Sequence, residues 1–139
     1  MILEIRATFN MATKFDLDKM YCAHIKRGDV LVVHHEDEKE GLMVVVQENI
    51  LNERLSTVLG VPLEIHKVGR VVHKNEILLK AKETNLGKDA VCLPHKMIPY
   101  DRRHLVSKKA ELPADRLKDL YATIDINFGR FRDKPIVIN

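Results

Sequence analysis

Tryptophan is absent from this chain, and the aromatic share is only 5% of its 139 residues. That leaves little surface on which unpaired bases can stack, which argues against a stacking platform for single-stranded nucleic acid. Only two cysteines occur, Cys22 and Cys92, and they belong to no close pair. Zinc and redox motifs bring two thiolates to one centre over a short spacing, so neither chemistry is indicated, and Cys92 reads as a reduced core residue. No apolar run approaches the ~20 residues that span a bilayer, so no membrane role is expected. Met1 to Asn10 is interrupted by Glu4 and Arg6 and lacks the basic start, apolar centre and small-residue cleavage site of a signal peptide. The chain therefore reads as cytoplasmic. A strong excess of one charge sign is missing too: a net +3 with histidines neutral permits nucleic-acid binding without arguing for it.

What is present is a globular mix, 45% hydrophobic and 31% charged, in a length that suits one core. Residues 1–24 read as an extension in which Thr13 and Asp16 signal a short helix and Phe15, Met20 and Tyr21 give it an apolar side. Residues 25–129 read as the domain and 130–139 as a tail. Gly28-Asp29 opens the branched run Val30 to Val33, and Leu42 to Val46 is a second such run. Between them Glu36-Asp37-Glu38-Lys39-Glu40 cannot be core, so the two runs predict a hairpin with a solvated turn. Asn49 is placed to cap a helical turn through Arg54. Thr57 to Leu63 reads as a third strand, with Pro62 pointing to an edge or a bulge. Glu76 to Ala81 and Ala90 to Leu93 read as two more, with a turn at Asn85-Leu86-Gly87. About five to seven short antiparallel strands at this spacing predict a small barrel.

The clearest helix lies near the end. Pro113 suits a first helical position, Leu117, Leu120, Ile124 and Phe128 recur at helical spacing, and Gly129 suits the residue that follows.

Four stretches, in order, carry a resemblance. Lys26-Arg27-Gly28-Asp29-Val30 resembles the opening strand of the MazF/PemK/Kid toxin family. Val44-Val45-Val46-Gln47-Glu48-Asn49 with Asn52 resembles its VVVQND…N strand and turn. Thr57-Val58 through Val61-Pro62-Leu63 resembles its following strand, and Tyr100-Asp101-Arg102-Arg103 with Leu105 resembles the segment before its closing helix. The resemblance covers roughly 105 residues, a single-domain length. It implies an SH3-like barrel, mainly β with α, of the MazF/CcdB-like group. It further implies a homodimer that cuts single-stranded RNA without a metal or other cofactor, restrained by a cognate antitoxin peptide.

Cleavage of that kind requires a base for the 2′-hydroxyl, an acid for the leaving oxygen, and a donor set for the phosphate. The resemblance places a family arginine, followed by proline, at Leu42 and Met43, and a family threonine at Glu64. Leucine supplies neither charge nor hydrogen bond, and glutamate adds an anion where phosphate would sit. The hairpin turn, with four acids against one base, repels a polyanion as well. The family's DQIR stretch reads His95-Lys96-Met97-Ile98. Substitutes are conceivable: Glu64 as base, His66 two positions along the same strand, and His95 and Lys96 as acid and cation. The alternative reading of Glu64 and His66 is a solvated strand face.

Elsewhere His34 and His35 point to opposite sides of one strand, and His66 and His73 lack a third ligand, so no metal site is expected. Arg102, Arg103, Lys108 and Lys109, with Arg27 and Lys67, are candidate phosphate contacts, or a solvated face that offsets the acidic turn. Three function classes follow: a toxin ribonuclease with an altered site, a catalytically silent member that binds an antitoxin or nucleic acid, and a gyrase poison of the CcdB type. The last group relies on a tryptophan near its C-terminus, which this chain lacks.

Overall fold

The structure is a computed structural model that describes residues 21, 23–37, 39–130 and 132. Most of the expected N-terminal extension with its short helix, Cys22, and most of the tail lie outside the described residues. Seven antiparallel strands form one sheet: β1 (Asp29–His34), β2 (Glu40–Val45), β3 (Thr57–Ile65), β4 (Ile77–Leu79), β5 (Ala90–Cys92), β6 (Ile98–Asp101) and β7 (Leu105–Glu111). The order is β4-β5-β3-β2-β1-β7, with β6 beside β5 on the same flank of β3. The helices are α1 (Asn49–Arg54), the four-residue α2 (Ala81–Thr84) and α3 (Ala114–Phe128), with 3-10 turns at Pro94–Lys96 and Arg102–His104. The expected strand-rich fold closed by a C-terminal helix is present. Among the described residues β4 and β7 each pair on one side only, so the sheet coils without closing its hydrogen-bonded ring.

The consecutive valines have a structural reason. Val30, Val44, Val61 and Leu63 face a cluster completed by Leu120 and Ile124 of α3. Their neighbours Leu31, Met43, Val45 and Val58 face a second cluster with Ile25, Tyr100 and Leu105. Strands buried on both faces read as apolar runs rather than alternations.

β1 and β2 form the expected hairpin, in register from Val30 opposite Val44 to His34 opposite Glu40. The segment after β2 is locked by two buried amides. Gln47 Nε2 donates to Asn52 Oδ1 and to the Thr57 carbonyl, both at 3.0 Å, and Asn52 Nδ2 donates to the Gln47 carbonyl at 2.9 Å. The cap of α1 is Glu48 rather than Asn49: its carboxylate accepts from the Ile50 and Leu51 amides. Asn49 Oδ1 instead accepts from the Arg27 amide at 2.7 Å.

Other expectations are corrected. Pro62 lies in an interior strand, flanked by β2 and by β5 and β6. Its carbonyl accepts from the Leu93 amide at 2.9 Å, so its missing N–H falls on that same flank, between the end of β5 and the start of β6, where the ladder breaks. The strand expected through Ala81 stops at Leu79. There the Lys80 and Ala81 amides bond the Glu83 and Asp89 carboxylates and start α2, and Asn85, left-handed at φ 57°, ends it. Pro113 caps α3 from outside its first turn, and Gly129 ends it at φ 68°. Leu120 and Ile124 are buried as expected, but Phe128 is exposed. The sequence predicts no strand between Leu93 and Pro113, where the stretch Tyr100 to Arg103 with Leu105 and the basic residues Arg102, Arg103, Lys108 and Lys109 lie; Ile98–Asp101 and Leu105–Glu111 form β6 and β7 there.

Candidate functional site

Leu42 and Glu64 do not converge. Leu42 sits directly opposite Leu63 in the β2–β3 ladder, so the two share a face, and Leu42 packs against the cluster beneath α3. Glu64, the next residue after Leu63, lies on the other face of the sheet. Met43, opposite Pro62, is fully buried in the second cluster. A side chain that fills this part of the core is unavailable to a phosphate in solvent.

Glu64 and His66 do meet, on Arg70. Glu64 Oε1 pairs with Arg70 Nε at 3.0 Å, and His66 Nε2 bonds the Arg70 carbonyl at 3.0 Å. The other edge of the guanidinium forks onto Glu76, Nη1 to Oε1 at 3.0 Å and Nη2 to Oε2 at 2.7 Å. Glu76 is buried and also accepts from the His73 amide at 3.1 Å. Chiefly because of the Arg70 hydrogen bonds, its carboxyl is drawn down to about 2. Arg70 is thus a single cation shared by the two carboxylates Glu64 and Glu76, which leaves its charge already compensated towards an arriving phosphate. No sequence pattern marks the Arg70–Glu76 pair, because it joins residues of an irregular segment.

His95 and Lys96 are exposed on the Pro94–Lys96 turn. That turn lies beside Gly60 to Pro62 of β3, since the Leu93 amide bonds the Pro62 carbonyl and Ile98 pairs with Gly60. Among the described residues no hydrogen bond or ion pair joins either of them to Glu64 or His66.

The candidate phosphate contacts are largely engaged. Lys108 pairs with buried Asp29 at 3.1 Å and with Glu111, and Arg103 forks onto Asp101 with Nη2 to Oδ2 at 2.7 Å. Arg102 donates to the Asn52 carbonyl, tying α1 to the 3-10 turn between β6 and β7. The Arg27 guanidinium lies 5.6 Å from the centre of the Tyr121 ring. Lys67 and Lys109 are exposed.

A groove of about 620 Å³ lies elsewhere, between the hairpin turn and β6. Val33 and Tyr100 form its floor and Ile98 and Pro99 one wall; His35, Glu36 and Asp37 form the opposite wall, with Asp101 and His104 at the rim. The His35 amide donates to the Lys39 carbonyl at 2.8 Å, and its ring lies over Gly41, where a Cβ would collide with Nε2. Sequence reading identified the acidic turn but not the groove, which exists only because β6 returns beside β3. Its signal was the run Ile98-Pro99-Tyr100, apolar residues at a family-like position.

The sequence profile of the family described as "PemK-like, MazF-like toxin of type II toxin-antitoxin system" matches residues 26–128. No curated protein sequence matches the chain. Among solved structures, a mycobacterial endoribonuclease in complex with its cognate antitoxin superposes with a TM-score of 0.66 at 12% identity, over 81% of this chain and 99% of that one. A mycobacterial endoribonuclease gives 0.64 at 12%, over 78% and 95%. A MazE–MazF complex from Deinococcus radiodurans gives 0.63 at 19%, over 78% and 98%. At such identities the likeness is one of fold.

Proposed function

Because the chain belongs to the PemK-like, MazF-like toxin family of type II toxin–antitoxin systems, we propose that it acts as a binding member of that family, a homodimer that engages a cognate antitoxin peptide and whose metal-independent cleavage of single-stranded RNA is absent or strongly reduced. The observation that carries this reading is the separation of Leu42 from Glu64 across the sheet, with Glu64 committed to Arg70. A phosphorane gains negative charge as it forms. The loss of one preorganised donor at such a centre costs ~10²–10³ in rate. Here the arginine position is aliphatic and packed, and the threonine position carries a carboxylate. Antitoxin binding is supported by the MazE–MazF neighbour and by the mycobacterial complex. Dimer formation is supported by the exposed Ile50, Leu51 and Leu55 on and beside α1, an apolar patch that a second copy would cover.

A second reading, a rebuilt ribonuclease site at Glu64, His66, His95 and Lys96, draws on one observation: Glu64 and His66 stand together at Arg70. Controlled expression in a bacterial host separates the two. Binding alone predicts normal growth and intact cellular RNA after induction. Growth arrest with new RNA 5′ ends, relieved by Glu64→Gln or His66→Ala, would establish the rebuilt site instead.

A further inference from the structure

The groove between the hairpin turn and β6 has features that select an occupant. Ile98 and Pro99 present exposed apolar surface along it, while Tyr100 and Val33 close its floor. β6 pairs only with β3, and its other side is open among the described residues. The Leu59 carbonyl accepts from the Val46 and Gln47 amides, on the β2 side of β3. Its partner Pro99 is therefore a non-bonded pair member whose carbonyl points to the open side of β6. That side offers an acceptor and, at Pro99, no donor, so a complete added strand is disfavoured while a segment that donates to the carbonyl is accommodated.

Charge then decides between partners. Glu36 and Asp37 line the wall, and among the described residues neither is ion-paired with a base. Arg103, between the rim residues Asp101 and His104 in sequence, is engaged by Asp101 through a fork. A polyanion entering this groove meets uncompensated carboxylates, whereas a cation meets complementary charge beside an apolar wall.

We propose that this groove is the docking site for an extended, basic peptide segment of a partner protein, its apolar side chains against Ile98 and Pro99 and its lysines or arginines against Glu36 and Asp37. This inference rests on the reading of the chain as a binding member, and names the chemistry of the partner.

The test is fluorescence anisotropy on the full chain with labelled probes of about eight residues, the reach of an extended segment at ~3.3 Å per residue. One carries leucine and lysine in a Gly/Ser background, a second replaces lysine by glutamate, and a third is an oligouridylate. The lysine probe should bind best, more tightly at low salt. Glu36→Lys with Asp37→Lys should weaken it about tenfold, and Ile98→Ser, which removes apolar surface without adding charge, should weaken binding in a salt-insensitive way. Both sites are exposed, and circular dichroism verifies that the variants fold. The proposal is overturned if the glutamate probe or the oligouridylate binds as tightly as the lysine probe, if the lysine probe does not bind, or if its binding ignores the charge reversal. RNA cleavage is assayed separately on the same preparations. Uncut RNA with no lysine-probe binding defeats only this inference, and cut RNA defeats the broader reading.

Discussion

At the scale of single residues, Leu42 and Glu64 carry the proposal that this family member does not cut RNA. Leu42 is legible in the sequence as a lost cation, but only the β2–β3 register shows that it packs under α3 while Glu64 emerges on the other face. Glu64 invites a catalytic reading from its position alone, and its commitment to Arg70 was beyond reach because Arg70 lies in a segment without periodicity. The buried Glu76 beneath that arginine gives a pH signature. Its carboxyl falls from an ordinary value near 4.5 to about 2, so the folded state favours the charged form. The resulting stability is present above about pH 4.5 and is lost as pH falls towards about 2. Glu76→Gln should therefore unfold at lower urea than the parent at neutral pH, and the gap should narrow as pH drops through that window. A gap that is constant with pH, or widens in acid, would refute the assignment.

Among elements, those with strong local signals were the readable ones. The β1–β2 hairpin, α3 with its Gly129 terminus and the α1 turn all follow from branched runs, helical spacing and cap residues. β6 and β7 were missed because Ile98 to Glu111 mixes proline, basic residues and isolated apolar ones, and only pairing to β3 and β1 makes strands of it. α2 was missed because it depends on Asp89, eight residues away, for its first amide. The cap of α1 was misassigned by one residue, since glutamate is a less usual cap than asparagine. Glu48→Ala should accordingly destabilise the protein by about 1 kcal/mol in a denaturant titration. Asn49→Ala should act through the lost bond to the Arg27 amide, loosening the loop before β1 rather than α1. If Asn49→Ala, and not Glu48→Ala, lowers helix content, the cap has been misplaced.

The described residues form a coiled sheet with two apolar clusters, one of them covered by α3, and the family was legible from four short stretches in the right order. The structure shows one reason those stretches carry the likeness: Gln47 and Asn52 bond one another and their neighbours' backbone, so the motif maintains a scaffold independent of catalysis. A scaffold of this kind persists when the chemistry placed on it changes. At this scale the protein should sediment at about twice its 16.0 kDa chain mass at tens of micromolar, by burying the α1 patch against a second copy. Leu51→Glu should then shift it to the monomer mass, and a wild-type monomer at that concentration would contradict the assembly. The claim on which the account turns is that this scaffold no longer cuts RNA. It is measured most directly by incubating the purified, antitoxin-free protein with a long single-stranded RNA in EDTA, beside an active toxin of the family. The account predicts no cleavage above the buffer control, for the parent and for Glu64→Gln alike. Cleavage by the parent at a rate near that of the active toxin, abolished by Glu64→Gln, would contradict it.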